Sequence, residues 1–217
     1  MIEIAISLFF VSTLHVLAFA VVGSLFDVGI KEISFGSGTK LFSYKKISVR
    51  LLQFGGYVSF LDTRVDELLN IDSQKALNSK PIIVQLVIIL SGVFAVLSFS
   101  LIVLGGDTLA SFVNAFGQIL NGALYPFTEA QQHIHVAKNL ANEYSFIYIV
   151  AIVGTKLSAL NLFPFSVFNG GQALIIIAKK IFRDPKWDEK AMLFLLWPGI
   201  LLGILWCLAL GYYFYNL

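Results

Sequence analysis

Asn161-Leu-Phe-Pro-Phe-Ser-Val-Phe-Asn-Gly-Gly171 interrupts a segment, Tyr144 to Ala178, whose single charge is Lys156. Two asparagines, a proline and a Gly-Gly pair stand where a bilayer would require unbroken helix. Backbone released by Pro164 and by Gly170-Gly171 has no water to bond in hydrocarbon, so it must be buried in protein or line a cavity. Polar groups at such depth mark a candidate functional site. A turn between a spanning and an interfacial helix, placed at the headgroups, is the competing explanation.

The rest of the chain supports a membrane setting. Of 217 residues, 58% are hydrophobic and 13% charged, and the mean hydropathy is +0.83. A soluble domain is nearer half apolar and a quarter charged. A net charge of +2 is too small to point to nucleic acid, and one cysteine, Cys207, excludes an intrachain disulfide framework. Met1-Ile-Glu-Ile4 lacks the basic start of a secretory signal, so the apolar run after it is expected to stay in the chain.

Four runs approach the ~20 residues that cross a hydrocarbon core. They are Ile4–Phe26, Pro81–Leu104, Tyr144–Leu162 and Ala191–Tyr215, the last expected to bend at Pro198-Gly199. The expected fold is a mainly α, polytopic membrane protein with four transmembrane helices, forming one domain over 1–217. Basic residues concentrate in the first and third loops, and the second holds only Lys138. The positive-inside rule then places loops one and three in the cytoplasm and both termini outside it.

Loop one alternates apolar and polar residues in Lys31–Thr39 and Ile47–Gln53, punctuated by glycines. This predicts a small cytoplasmic antiparallel sheet, a β-rich insertion over 30–62. Gly55-Gly56 bends an edge strand, and Thr63–Gln74 reads as a short polar helix. Loop two contains Leu109–Leu124, an interfacial or re-entrant segment, and Gln131-Gln132-His133-Ile134-His135. It is too short for a PDZ domain.

Five pieces in this order resemble the site-2 protease family of intramembrane zinc metallopeptidases, peptidase family M50. Leu14-His15-Val-Leu-Ala-Phe19 stands where that family has His-Glu-x-x-His. Phe35-Gly-Ser-Gly-Thr-Lys-Leu-Phe-Ser43 resembles its Gly-x-Gly-Pro-Lys-Leu segment, and Arg50-Leu-Leu-Gln-Phe-Gly-Gly-Tyr-Val58 its Arg-x-x-Pro-x-Gly-Gly-Tyr-Val strand. Ser91-Gly-Val-Phe-Ala-Val96 occupies the place of Ala-Gly-Pro-x-x-Asn. Asn161–Gly171 is similar to Asn-Leu-x-Pro-x-x-x-x-Asp-Gly-Gly.

In that family two histidines on one helix face and a later aspartate hold Zn²⁺, and a glutamate serves as base. By the resemblance, His15 matches the first ligand, Val16 the base, Phe19 the second ligand and Asn169 the aspartate. Valine and phenylalanine carry no donor atom, and an amide is a poor zinc ligand. The resemblance therefore implies a catalytically inactive homologue, with no catalytic residues, metal or cofactor. His15 then reads as a neutral histidine bonded to Asn169 or a backbone carbonyl, and Phe19 as filler for the former metal cavity.

The function expected is a scaffold that binds a partner membrane protein or an extended peptide within the bilayer, as a subunit of a membrane complex. Its expected location is the bacterial inner membrane. The groove for that partner draws on Gly55, Gly56, Tyr57, Asn161, Pro164, Asn169, Gly170 and Gly171. The asparagines read alternatively as caps of broken helix ends. A second reading keeps peptidase activity through non-standard metal ligands such as His15, His133 or Glu129. His133 and His135 share a face only in a strand, while their neighbours look helical, so they read as exposed loop residues. Lys156 reads as a pathway residue, an ion-pair partner or a snorkelling side chain. A transporter built on the polar break is a third possibility, disfavoured by the lack of inverted repeats.

Overall fold

The computed structural model describes residues 2–66, 73–182 and 185–216, with 53, 54, 182 and 185–189 described by backbone alone. The elements are α1 (Ile2–Leu25), β1 (Ile30–Tyr44), β2 (Ile47–Phe60), α2 (Ile82–Leu104), α3 (Asp107–Leu124), α4 (Glu129–Glu143), α5 (Phe146–Asn161), α6 (Asn169–Phe182) and α7 (Pro185–Tyr215). Two compact units divide them, one of Leu8–Val96 and one of Met1–Ser7 with Leu97–Leu217.

Among the described residues, three helices are long and apolar enough to cross a membrane: α1, α2 and the Lys190–Tyr215 part of α7. Each follows from an apolar run that no charge interrupts. Helix α7 continues through Pro198. The fourth expected span is shorter than its run: α5 has 16 residues, about 24 Å at 1.5 Å per residue, against ~30 Å of hydrocarbon. The polar break after Asn161 ends it.

In the Leu8–Val96 unit, β1 and β2 pair antiparallel into the expected sheet. The ribbon folds back on itself, so Ile33, Ser34 and Phe35 pair on two sides. Val58, Tyr57 and Gly56 lie on one flank and Ile47, Ser48 and Val49 on the other, making the sheet three segments wide there. Gly36 and Gly38 turn β1 with φ of 85° and 81°, a region open to glycine without steric cost. The core joins Val16 and Ala20 of α1, Val58 and Phe60 of β2, Val28, and Ile88 of α2. Of the polar helix expected at Thr63–Gln74, residues 63–66 instead form a turn, closed by Asp66 N–H on the Asp62 carbonyl at 2.9 Å. Residues 67–72 lie outside the described residues.

In the other unit, the second loop of the sequence is two helices, α3 and α4, which pack with α5 and α7. Hydrogen bonds between helices tie them. The Ser111 and Thr155 hydroxyls meet at 2.7 Å. Ser100 Oγ donates to the Ala151 carbonyl at 2.9 Å, and Trp206 Nε1 to that of Ile119 at 3.0 Å. Gly122 makes the last contact possible, since any Cβ there would overlap the Trp206 ring. Away from water such bonds are worth ~0.6–2 kcal/mol each. His133 and His135 sit on helix α4, not in a loop. Helical geometry turns residues two apart to different faces, and the His135 ring packs edge-on against Tyr213 at 5.3 Å.

Candidate functional site

His15 and Val16 are adjacent on α1 and Phe19 lies about one turn further on; each is held by a different neighbour. The His15 imidazole lies on the backbone of α2 at Gly92, where a Cβ would come within 2.7 Å of three ring atoms. Val16 is 1% exposed and faces β2 at Gly56, whose Cβ would stand 2.8 Å from Val16 Cγ2. Phe19 packs edge-on against Phe60, with ring centroids 5.2 Å apart. Val16 is thus part of the apolar core and Phe19 packs on it.

Gly55-Gly56 gives β2 its bend, with φ of 73° and 151°. The Gly55 N–H donates to Ser12 Oγ of α1 at 3.2 Å, which fixes the bent strand to the helix one turn before His15. Beside the bend, Arg50 donates from Nε to Ser34 Oγ at 2.8 Å, from Nη1 to the Gly38 carbonyl at 2.9 Å and from Nη2 to the Tyr57 hydroxyl at 2.6 Å. The Tyr57 hydroxyl in turn donates to Glu32 Oε2 at 3.0 Å. Glu32 also accepts from Ser48 Oγ and pairs with Lys40 Nζ at 2.9 Å. These partners, the Ser48 hydroxyl foremost, lower the Glu32 carboxyl from 4.5 to about 2. The conformation of the bend therefore rests on a charged cluster spanning all three strand segments.

The Asn161–Gly171 break belongs to the other unit, where several of its polar groups find partners. Asn161 Nδ2 donates to the Leu157 carbonyl of its own helix at 3.0 Å. The Ser166 N–H reaches the Leu195 carbonyl of α7 at 3.1 Å. Helix α7 admits the turn at Gly199, where a Cβ would meet Phe165 Cβ and Val167 Cγ2, each at 3.1 Å. The turn between α5 and α6 thus docks on the Pro198-Gly199 stretch of the unbroken helix α7. A Cβ at Gly170 would strike the Leu162 and Phe163 carbonyls, and one at Gly171 the Phe165 carbonyl. Both glycines are required for α6 to start this close to the turn. Asn169, the first residue of α6, is buried at 8% exposure, while Pro164 is exposed.

The expected site residues therefore form two sets, each ordered within its own unit. His15, Val16, Phe19, Gly55, Gly56 and Tyr57 form one; Asn161, Pro164, Asn169, Gly170 and Gly171 form the other. Sequence reasoning passed over Gly92 and Glu32 as site residues. A lone glycine in an apolar helical run was the available sign of the first; nothing local marked the second.

The chain matches the family model described as Peptidase family M50 over residues 3–205, and it belongs to that family. No curated protein matches it. The zinc ion implied by the family does not fit the residues present. The positions that the resemblance assigns to the base and the second ligand, Val16 and Phe19, hold hydrocarbon side chains, one of them sealed in a core, and His15 is the one donor left of the three α1 positions. A catalytic zinc site takes three protein ligands and an open position.

Proposed function

We propose that this M50 protein holds a membrane-embedded polypeptide without cutting it, as a non-peptidase subunit of a membrane complex. The observation that carries this reading is the position of Val16 and Phe19. Both pack with the apolar core, while the bent strand at Gly55-Gly56, braced by Arg50 and Tyr57, stays in order beside them. An exposed strand edge can take an extended peptide by main-chain hydrogen bonds, with no catalytic group involved. In this proposal α5 is the fourth span, made short by the docked turn that follows it. The basic loops face the cytoplasm of a bacterial inner membrane, and both termini lie outside.

The test is purification of the tagged protein from its native host in mild detergent, with metal analysis of the same sample. A membrane polypeptide in stoichiometric amount and well under one equivalent of transition metal are expected. A partner-free monomer overturns the scaffold reading. A full equivalent of tightly bound metal, with cleavage of transmembrane substrates, overturns the non-peptidase reading in favour of non-standard ligands.

A further inference from the structure

The unit of Met1–Ser7 and Leu97–Leu217 holds a half-open cavity of about 370 Å³ among α3, α4, α5, α7 and Ile4 of α1, which none of the readings above uses. Its walls are mostly apolar, from residues such as Ile119, Leu140, Ile149 and Ile152. Its one formal charge is Lys156. The ammonium, half-buried, donates to the Ser111 carbonyl at 3.2 Å and, among the described residues, makes no ion pair. An ammonium carries three donors, so this carbonyl leaves capacity for an anion. Gln118 and His133 add polar groups to the same wall.

A cation in an apolar wall is costly without a counter-ion. Ligand cavities have this composition: hydrophobic lining with a few polar groups that fix one end of the ligand. The volume lies near the lower end of the usual ~300–1,000 Å³ range, suited to one chain more than two. We propose that this cavity binds a single-chain anionic amphiphile, its headgroup on Lys156 and its chain along the isoleucine and leucine wall. A free fatty acid and a lysophospholipid share this chemistry. The assignment is independent of whether the α1 site retains catalysis.

The experiment uses the full-length protein in phosphatidylcholine nanodiscs, photolabelled by a diazirine derivative of palmitate. Saturable labelling that maps to α3, α4 or α5 is expected, competed by palmitate at least about tenfold better than by its methyl ester, a difference of ~1.4 kcal/mol. Competition by lysophosphatidylglycerol as strong as by palmitate identifies the lysolipid source; preference for palmitate identifies the fatty acid. Lys156→Met should abolish the preference of acid over ester, Lys156→Arg should keep it, and Ile152→Trp should weaken acid and ester alike by filling the cavity. Equal competition by acid and ester, unsaturable labelling, or a preference unchanged in folded Lys156→Met overturns the proposal. So does acid-independent crosslinking of this wall to a co-purified polypeptide.

Discussion

Replacing Val16 by glutamate reinstates the residue that the M50 pattern has at this position, and the structure predicts a heavy cost. The valine is 1% exposed, and burying such a side chain is worth ~1.5–3 kcal/mol. Glutamate is longer by two heavy atoms and points at Gly56, where Cγ2 already stands 2.8 Å from the place of a Cβ. Overpacking of a filled core adds about 1–3 kcal/mol. A carboxyl with no hydrogen-bond partner adds about 1–3 kcal/mol more. A destabilisation of ~4–9 kcal/mol is expected, a large part of the 5–15 kcal/mol that holds a typical domain. For a chain of this length that is a fall of ~8–36 °C in melting temperature.

The assay is thermal unfolding of the purified protein in one detergent, with Val16→Thr and Val16→Ala alongside. Threonine keeps the shape and isolates the polar penalty, at about 1–3 kcal/mol; alanine isolates packing, at ~2–3 kcal/mol. Val16→Glu melting within about 2 °C of the parent would refute the reasoning. It would mean that a polar, hydrated space adjoins this turn of α1.

Two further outcomes follow from contacts in the same unit. Gly92→Ala should displace the His15 ring and cost roughly 1–3 kcal/mol; adding His15→Ala should recover at least about 1 kcal/mol, a coupling that a double-mutant cycle measures. Independent, additive costs would show that the ring does not rest on Gly92. Glu32 has a folded pKa of about 2 against 4.5 when free, so its contribution is complete above the free value and is lost as pH falls through the folded one. At ~1.4 kcal/mol per unit, reduced for solvent access, stability should fall by about 1–2 kcal/mol between pH 5 and 2. Glu32→Gln should flatten that stretch of a melting-temperature profile, and an unchanged slope would count against the cluster.

The long helices were legible because uninterrupted apolar runs leave the backbone one solution in a membrane. The sheet was legible from alternation and glycines, and the family from short motifs in order. What the sequence concealed depends on partners distant in the chain. Leu109–Leu124 reads as an interfacial segment until Ser111 and Gly122 find Thr155 and Trp206. Lys156 leaves three readings open because its surroundings come from helices on both sides of it in sequence. Val16 and Phe19 are visibly unsuited to zinc, but only the packing of Phe60, Gly56 and Ile88 shows what occupies the space. Likewise Pro164 and Pro198 read as separate disturbances, and the docking of the turn on an unbroken α7 appears only in three dimensions.

That docking has a consequence for biosynthesis. Ser166 emerges from the ribosome about thirty residues before Leu195, the carbonyl to which its N–H is bonded. At 5–20 residues per second the interval is roughly two to six seconds. Throughout it the turn has no partner on α7, and hydrocarbon offers none. The break must therefore wait in water, at the headgroups or within an insertase until α7, made after it, lets it settle.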